Sequence, residues 1–259
     1  DWTRVPYEVL AQISNRITLG VTQVTGTSGL PHTGVQNGKE VGLDLDIRAA
    51  VAKKLGITFQ PETGTFQTIV PGVQSGKYQV GQANFGVTKD RLKIVDFATY
   101  LNDGQSFVGS KEVKLTAVKS LLDVCGLKIA TSPGTTFQKL LESSKDECAA
   151  AGKKPYSVQY FADNAPIYLG LQNGKVDVYF GPTLSLKVLV QKILGTRYLG
   201  QITRTPVGFV TAKGSPLAPA LSAAVNDLIA DGTYAKLFAK WNVADSVIAK
   251  SQINPTPTF

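Results

Sequence analysis

The stretch LKIATSPGTTFQKLL (Leu127–Leu141) decides the fold. Its first residues form a short apolar run closed by Ser132-Pro133-Gly134, which reads as a strand ending in a turn. Phe137, Leu140 and Leu141 then follow at helical spacing. A strand that feeds a helix through a short Gly-containing turn is the building unit of a parallel α/β sheet. The small and hydroxyl residues Gly134, Thr135 and Thr136 suit a helix start. They also leave backbone N–H groups pointing out of the positive end of a helix dipole, where anions bind. On this stretch alone a plain cap is the simpler reading.

The same alternation extends in both directions. Downstream, YSVQYFA reads as a strand, NAPIYLGLQNGK as a helix and VDVYFGP as a strand, while GTTFQKLLESSKDECAAAG reads as one helix. Upstream, RITLGVTQ is a buried strand, followed by the glycine-rich loop VTGTSGLPHTGVQNGKEV. GLDLDIRAAVAKKLG then gives a glycine, a capping Asp44 and a helix closing at Gly56. ITFQPETG is a second strand, FQTIVPGVQSGKY a helix and QVGQANFG a third strand. The β-α-β-α-β order runs once and then starts again, which predicts an α/β protein of two lobes with mostly parallel sheets. Extended chain near DGQSFVGSK and QITRTPVGFV would connect them. Lobe 1 is expected over residues 1–106 and again over 207–259, and lobe 2 over 107–206. PLAPALSAAVNDLIADGTYAKLFAKW reads as long and helical, packing back on lobe 1.

With 259 residues, 43% hydrophobic and 18% charged, the chain is long enough for two modest lobes and too apolar to be disordered. No apolar run reaches the roughly 18 residues that span a bilayer. The opening DWTRVPYEVLAQ lacks a basic region followed by an apolar stretch, so no signal peptide is expected there and a processed form is indicated. The net charge of +8 raises the question of a nucleic-acid partner. Only six of the 27 basic residues are Arg, however, and they lie scattered, which reads as a solvated basic surface without nucleic acid. Cys125 and Cys148 are too far apart for a CxxC motif: they are either two buried thiols or, in an exported protein, a disulfide. A single histidine, His32, excludes paired-His metal motifs, and no metal or cofactor is expected.

Five stretches in order carry a resemblance. GLDLD (Gly42–Asp46), IVPGVQSGKYQ (Ile69–Gln79), TKDRLKIVDF (Thr88–Phe97), the Gly134-Thr135-Thr136 turn and DGTYAKLFAKW (Asp231–Trp241) together resemble the bacterial extracellular solute-binding proteins of family 3. These are the polar amino-acid-binding subunits of ABC importers. The resemblance covers nearly the whole chain. It implies a periplasmic-binding-protein-like type II fold, with two α/β lobes joined by two extended crossovers that close on a ligand by a hinge. It also implies a periplasmic or extracytoplasmic location, a monomer, and membrane permease subunits as partners. The ligand's carboxylate would be held by Arg91, whose planar fork suits two oxygens, with Thr88 at the same turn. Gly134, Thr135 and Thr136 would donate from the other lobe. The disulfide would staple the helix after that turn to the strand before it.

The chain also departs from the pattern. The family's acid for the ligand's α-ammonium falls at Pro182, which has neither charge nor N–H. A buried ammonium without a counter-charge is costly, so another acid such as Asp103 or Asp163 must reach it, or the ligand nitrogen is substituted, shielded or absent. His32 stands at the Phe position of a longer loop, and Gly86 replaces a hydroxyl residue; Asn84 and Phe66 are further pocket candidates. The reading is an importer's binding subunit for a carboxylate ligand, an amino acid or an N-substituted, opine-like derivative. The alternatives are a cyclohexadienyl or arogenate dehydratase-like enzyme on the same fold, or a ligand-binding sensor domain. The enzyme would need a positioned general acid, and no pocket position matched here supplies one.

Overall fold

The computed structural model describes residues 15–259; the opening stretch DWTRVPYEVLAQ lies outside the described residues. In chain order the elements are β1 (Arg16–Thr22), β2 (Gly34–Gln36), β3 (Lys39–Val41), α1 (Leu43–Leu55), β4 (Thr58–Gly64), α2 (Phe66–Gln74), β5 (Val80–Gly81), α3 (Lys89–Leu92) and β6 (Val95–Gly109). They continue as β7 (Lys128–Thr131), α4 (Thr136–Ser143), α5 (Glu147–Ala150), β8 (Ser157–Tyr160), α6 (Asn164–Asn173), β9 (Val178–Pro182) and α7 (Thr183–Lys192). The chain finishes with β10 (Arg197–Ala212), α8 (Leu217–Ala230) and α9 (Thr233–Lys240). No described helix is long and apolar enough to cross a membrane.

Two compact units emerge. Among the described residues, unit 1 comprises 15–27, 31–103 and 205–259, and unit 2 comprises 28–30 and 104–204. The two long strands β6 and β10 each carry the chain from one unit into the other. In unit 1, β1 pairs in parallel with β4 and β5, and β10 runs antiparallel to β5. In unit 2, β7 pairs in parallel with β8 and β9, and β6 runs antiparallel to β9. Within each unit the strand pairing is therefore mostly parallel with one antiparallel strand, as strand-helix alternation with a returning chain requires.

Local chemistry sets the element ends. Thr65 caps α2 by accepting from Thr68 N and closes a capping box with it. Gly42, at φ 145°, is the N-cap of α1, where Asp44 was expected to cap. A Cβ on Gly42 would lie 2.1 Å from the His32 carbonyl oxygen, so the close approach of the two backbones requires glycine. Asp44 is left inside the first turn, with its carboxylate turned to the His32 ring. The glycine-rich loop holds a small hairpin, β2–β3, turned at Asn37 and Gly38 with φ 52° and 73°. Asn-Gly is the residue pair that favours this turn.

Three expected elements are shorter in the structure. QVGQANFG is strand only at Val80–Gly81, because Asn84 takes the left-handed conformation at φ 56° and breaks the extended run. The helix expected over GTTFQKLLESSKDECAAAG ends at Ser143 and resumes at Glu147. The Ser143-Ser144 pair favours local side-chain bonds, and Ser143 Oγ donates to Leu140 O at 3.1 Å. The C-terminal helical run divides at Gly232, which sits at φ 84°.

Each unit has its own core. In unit 1, Ile69 and Val73 of α2 pack with Tyr78, Phe85, Val87, Phe97 and Val210. In unit 2, Phe107 and Phe180 stack at 4.2 Å, with Phe137 edge-on to Phe180 at 5.2 Å. Cys125 and Cys148 form a disulfide across 23 residues, which ties the chain before β7 to α5. Closing a loop of this length stabilises the fold by about 3 kcal/mol through the unfolded chain. The Cys125→Ser/Cys148→Ser variant should lose about that much in urea unfolding. An unchanged midpoint would mean the bridge adds nothing to what the core already holds.

Candidate functional site

Unit 1 concentrates its polar chemistry in the segment between β5 and α3. That segment is pinned against β10: Val87 N donates to Pro206 O at 2.8 Å, Gly208 N donates to Phe85 O at 3.2 Å, and Gly86 bridges Val207. Thr88 caps the single turn of α3 by accepting from Arg91 N at 3.2 Å. The turn brings the Arg91 side chain back over the segment, where Nη1 donates to Gly86 O at 2.9 Å. The guanidinium lies 5.5 Å from the Phe66 ring centroid and 5.4 Å from that of Phe85. The two rings themselves pack at 4.8 Å. Burial pulls the Arg91 pKa down to about 10, which still leaves the side chain charged at neutral pH. A planar cation beside aromatic rings keeps its fork oriented at small entropic cost.

A buried ionic group adjoins this segment in unit 1. His32 Nδ1 is 3.1 Å from Asp44 Oδ1, and His32 Nε2 is 3.0 Å from Asp103 Oδ2. All three residues are buried. Burial alone would lower the His32 pKa; Asp44, then Asp103, outweigh it and raise it to about 10. Asn84 Nδ2 donates to the same Asp103 oxygen at 3.0 Å. Gln82 Nε2 donates to Asp44 O at 3.1 Å.

Unit 2 presents the turn before α4. Thr135 is the N-cap: its hydroxyl donates to Ser132 O at 2.6 Å and accepts from Gln138 N at 3.2 Å. Its one hydroxyl hydrogen is thus engaged within the turn. Gly134, at φ 73°, donates its N–H to Gln138 Oε1 at 2.7 Å. The Thr136 hydroxyl accepts from Gln105 Nε2 at 3.2 Å, and Gln105 Oε1 accepts from Thr203. What the turn offers a ligand is the Thr136 hydroxyl hydrogen together with the N–H groups of Thr136 and Phe137, the first two of the helix, since that of Gln138 is taken by the cap. Pro182 lies at the end of β9, in register with Gln105. The residue after it, Thr183, donates to Gln201 Oε1 at 2.8 Å and lies 2.5 Å from Ser106 Oγ.

Residues 23–244 match the bacterial extracellular solute-binding proteins, family 3. The chain belongs to this family. Among curated relatives, the arginine-binding protein ArgT of Corynebacterium glutamicum is 27% identical over 233 residues, covering 85% of this chain and 73% of the relative. The ABC transporter glutamine-binding protein GlnH of Bacillus subtilis is 26% identical over 234 residues, covering 88% and 81%. Among solved structures, an ancestral arginine-binding protein bound to arginine superposes with a TM-score of 0.75 at 31% identity, covering 88% of this chain and 98% of that one. The mixed α/β architecture of this family member is that of the type II periplasmic binding proteins.

The structure brings five of the expected residues together in unit 1: Asn84, Gly86, Thr88 and Arg91 lie on one segment, and Phe66 packs against its arginine. His32 is joined to that group through Asp103 and Asn84, with both ring nitrogens bonded to carboxylates. Gly134, Thr135, Thr136 and Pro182 belong to unit 2. Of the acids weighed as substitutes at Pro182, Asp103 is bonded to His32 and Asn84, and Asp163 is exposed just before α6. Sequence reasoning missed Phe85 and Gln105. Phe85 carried no signal beyond its place in an apolar run, and the partners of Gln105 are 31 and 98 residues away.

Proposed function

We propose that this protein is the extracytoplasmic binding subunit of an ABC importer and takes an amino acid or an N-substituted amino-acid derivative by its carboxylate. Arg91 carries the reading. A charged guanidinium, aimed by Gly86 O and flanked by Phe66 and Phe85, is an oriented cation suited to a carboxylate. In this proposal Thr88 fixes the turn that presents Arg91, and Thr136 with the first-turn N–H groups of α4 supplies further donors. The named ligands of the relatives, arginine and glutamine among them, are α-amino acids. The disulfide accords with an oxidising compartment. Pro182 itself carries no charge, which favours a ligand whose nitrogen carries a substituent, as in opine-like conjugates, over a bare ammonium needing an acid.

The test is thermal unfolding against free amino acids, N-substituted amino acids and carboxylates without nitrogen. A ligand bound only by the native state stabilises it by about 2.7 kcal/mol at a hundredfold excess over its Kd. The expected hits carry a free carboxylate and lose their effect as methyl esters. Stabilisation by esters as strong as by acids would remove Arg91 as the anchor. Hits among unsubstituted amino acids alone would overturn the substituted-nitrogen reading and keep the importer.

A further inference from the structure

The family match ends at residue 244, and the chain runs on to Phe259. Part of that last segment lies along the first half of β6. Ala98 and Ile253 form an antiparallel bridge, Thr99 N donates to Gln252 O at 3.0 Å, and Gln252 N donates to Thr99 Oγ1 at 2.9 Å. β9 pairs with β6 only from Gln105 onward, so here the segment is the partner that meets these backbone groups. Asn254 ends the pairing. Its backbone is left-handed at φ 48°, and its N–H donates to Phe97 O at 3.2 Å. Its Oδ1 accepts from Phe97 N at 2.8 Å, and its Nδ2 donates to Asp96 Oδ1 at 2.9 Å.

Beyond Asn254 the sequence is Pro-Thr-Pro-Thr-Phe. Two prolines in five residues stiffen an extended run, so docking it costs little chain entropy. The run reaches α3, the turn that carries Arg91: Lys89 N donates to Phe259 O at 3.1 Å. α3 has only four residues, and a lone turn does not sustain itself. Its first N–H groups have no acceptor within the helix, and the segment supplies one of them. At the other end Leu92 O accepts from Lys213 Nζ at 2.7 Å. Lys213 Nζ lies 3.3 Å from Asp96 Oδ1, the oxygen that also accepts from Asn254. The segment thus meets both ends of the turn, directly at Lys89 and through Asp96 and Lys213 at Leu92.

We propose that residues 252–259 form a strap that positions Arg91, with Asn254 and Phe259 as its positioning residues. This rests on the carboxylate reading of Arg91. The strap acts through the turn from which the guanidinium reaches Gly86 O. A planar fork binds two oxygens only when it is correctly aimed, so a loosened turn weakens binding without removing any charge.

Two variants test this. Removing residues 255–259 takes away the Phe259 carbonyl, and Asn254→Gly suits the left-handed backbone while removing the amide. Amide hydrogen exchange in the ligand-free proteins should be at least about tenfold faster at Arg91 and Leu92, whose N–H groups bond to Thr88, and unchanged at Ile17 and Leu19 in the buried part of β1. Calorimetric titration with L-arginine, L-glutamine and N2-(1-carboxyethyl)-L-arginine should show each variant at least about fivefold weaker than the wild type for whichever probe binds. In an Arg91→Ala background the same two changes should leave affinity where it stands, since the strap then has no anchor to place. Exchange unchanged at α3, or accelerated equally in β1, overturns the assignment and leaves the carboxylate anchor standing. Affinity unchanged in both variants, or lost equally with and without Arg91, does the same. If no probe binds the wild type, or if Arg91→Ala binds every probe as the wild type does, the anchor reading fails and the inference with it.

Discussion

Arg91→Ala should reduce ligand affinity by at least thirtyfold. Truncating one partner of a buried, hydrogen-bonded charge pair costs about 2–5 kcal/mol, which spans roughly 30-fold to several-thousand-fold in Kd. Arg91→Lys should fall between wild type and alanine, although it keeps the charge. The ammonium is a point donor: it cannot fork onto two carboxylate oxygens, and it lacks the planar surface that lies beside Phe66 and Phe85. Titration of the best-binding acid from the ligand panel, with the melting temperature of the ligand-free protein measured alongside, separates binding from folding. Equal affinity in the lysine and wild-type proteins would mean that general positive charge suffices and that the geometry around Gly86 O is incidental.

The elements on which Arg91 stands were legible because their signals are local. Apolar residues at strand and helix periods repeat over short windows, so the β-α alternation and the restart at LKIATSP could be read directly. The Thr-x-x-Arg spacing places a cap and a cation on one turn, and Thr88 and Arg91 occupy that turn. What escaped was decided by distant parts of the chain. His32 reads as a pocket residue in a loop, yet its partners are 12 and 71 residues away. Asp44 reads as a helix cap; once Gly42 takes the cap, its carboxylate is available to the His32 ring. The hydroxyls of Thr135 and Thr136 look alike in sequence, and only their neighbours give one to Ser132 O and align the other on Gln105. Asn37-Gly38 did carry a local hairpin signal, and the glycine-rich context around it masked a two-strand element three residues long on each side.

His32→Phe should destabilise the protein by roughly 3–5 kcal/mol, the cost of removing one partner from a buried ionic pair. Phe fills the space of the ring but leaves Asp44 and Asp103, both buried, without their shared imidazolium. Asp103 retains the Asn84 amide, so most of the penalty falls on Asp44. The double variant His32→Phe/Asp44→Asn should therefore recover part of the loss, because an apolar or neutral replacement of a whole buried ionic group is often tolerated. The pH dependence has a definite sign. The folded protein holds the His32 proton until about pH 10, whereas the unfolded chain releases it near 6.5. Stability from this group is whole below pH 6.5, declines by about tenfold in the folding equilibrium per pH unit above it, and is gone beyond pH 10. Two neighbouring groups bear on that window: burial, and then Asp44, hold the Tyr100 phenol well above its usual range, and burial pulls Arg48 below its ordinary value against the opposing pull of Asp44 and Glu40. Urea unfolding at pH 6, 7, 8 and 9 should show wild-type stability falling relative to the double variant. Parallel curves for the two proteins would mean that His32 is neutral in the fold and that the two carboxylates are held by something other than its charge.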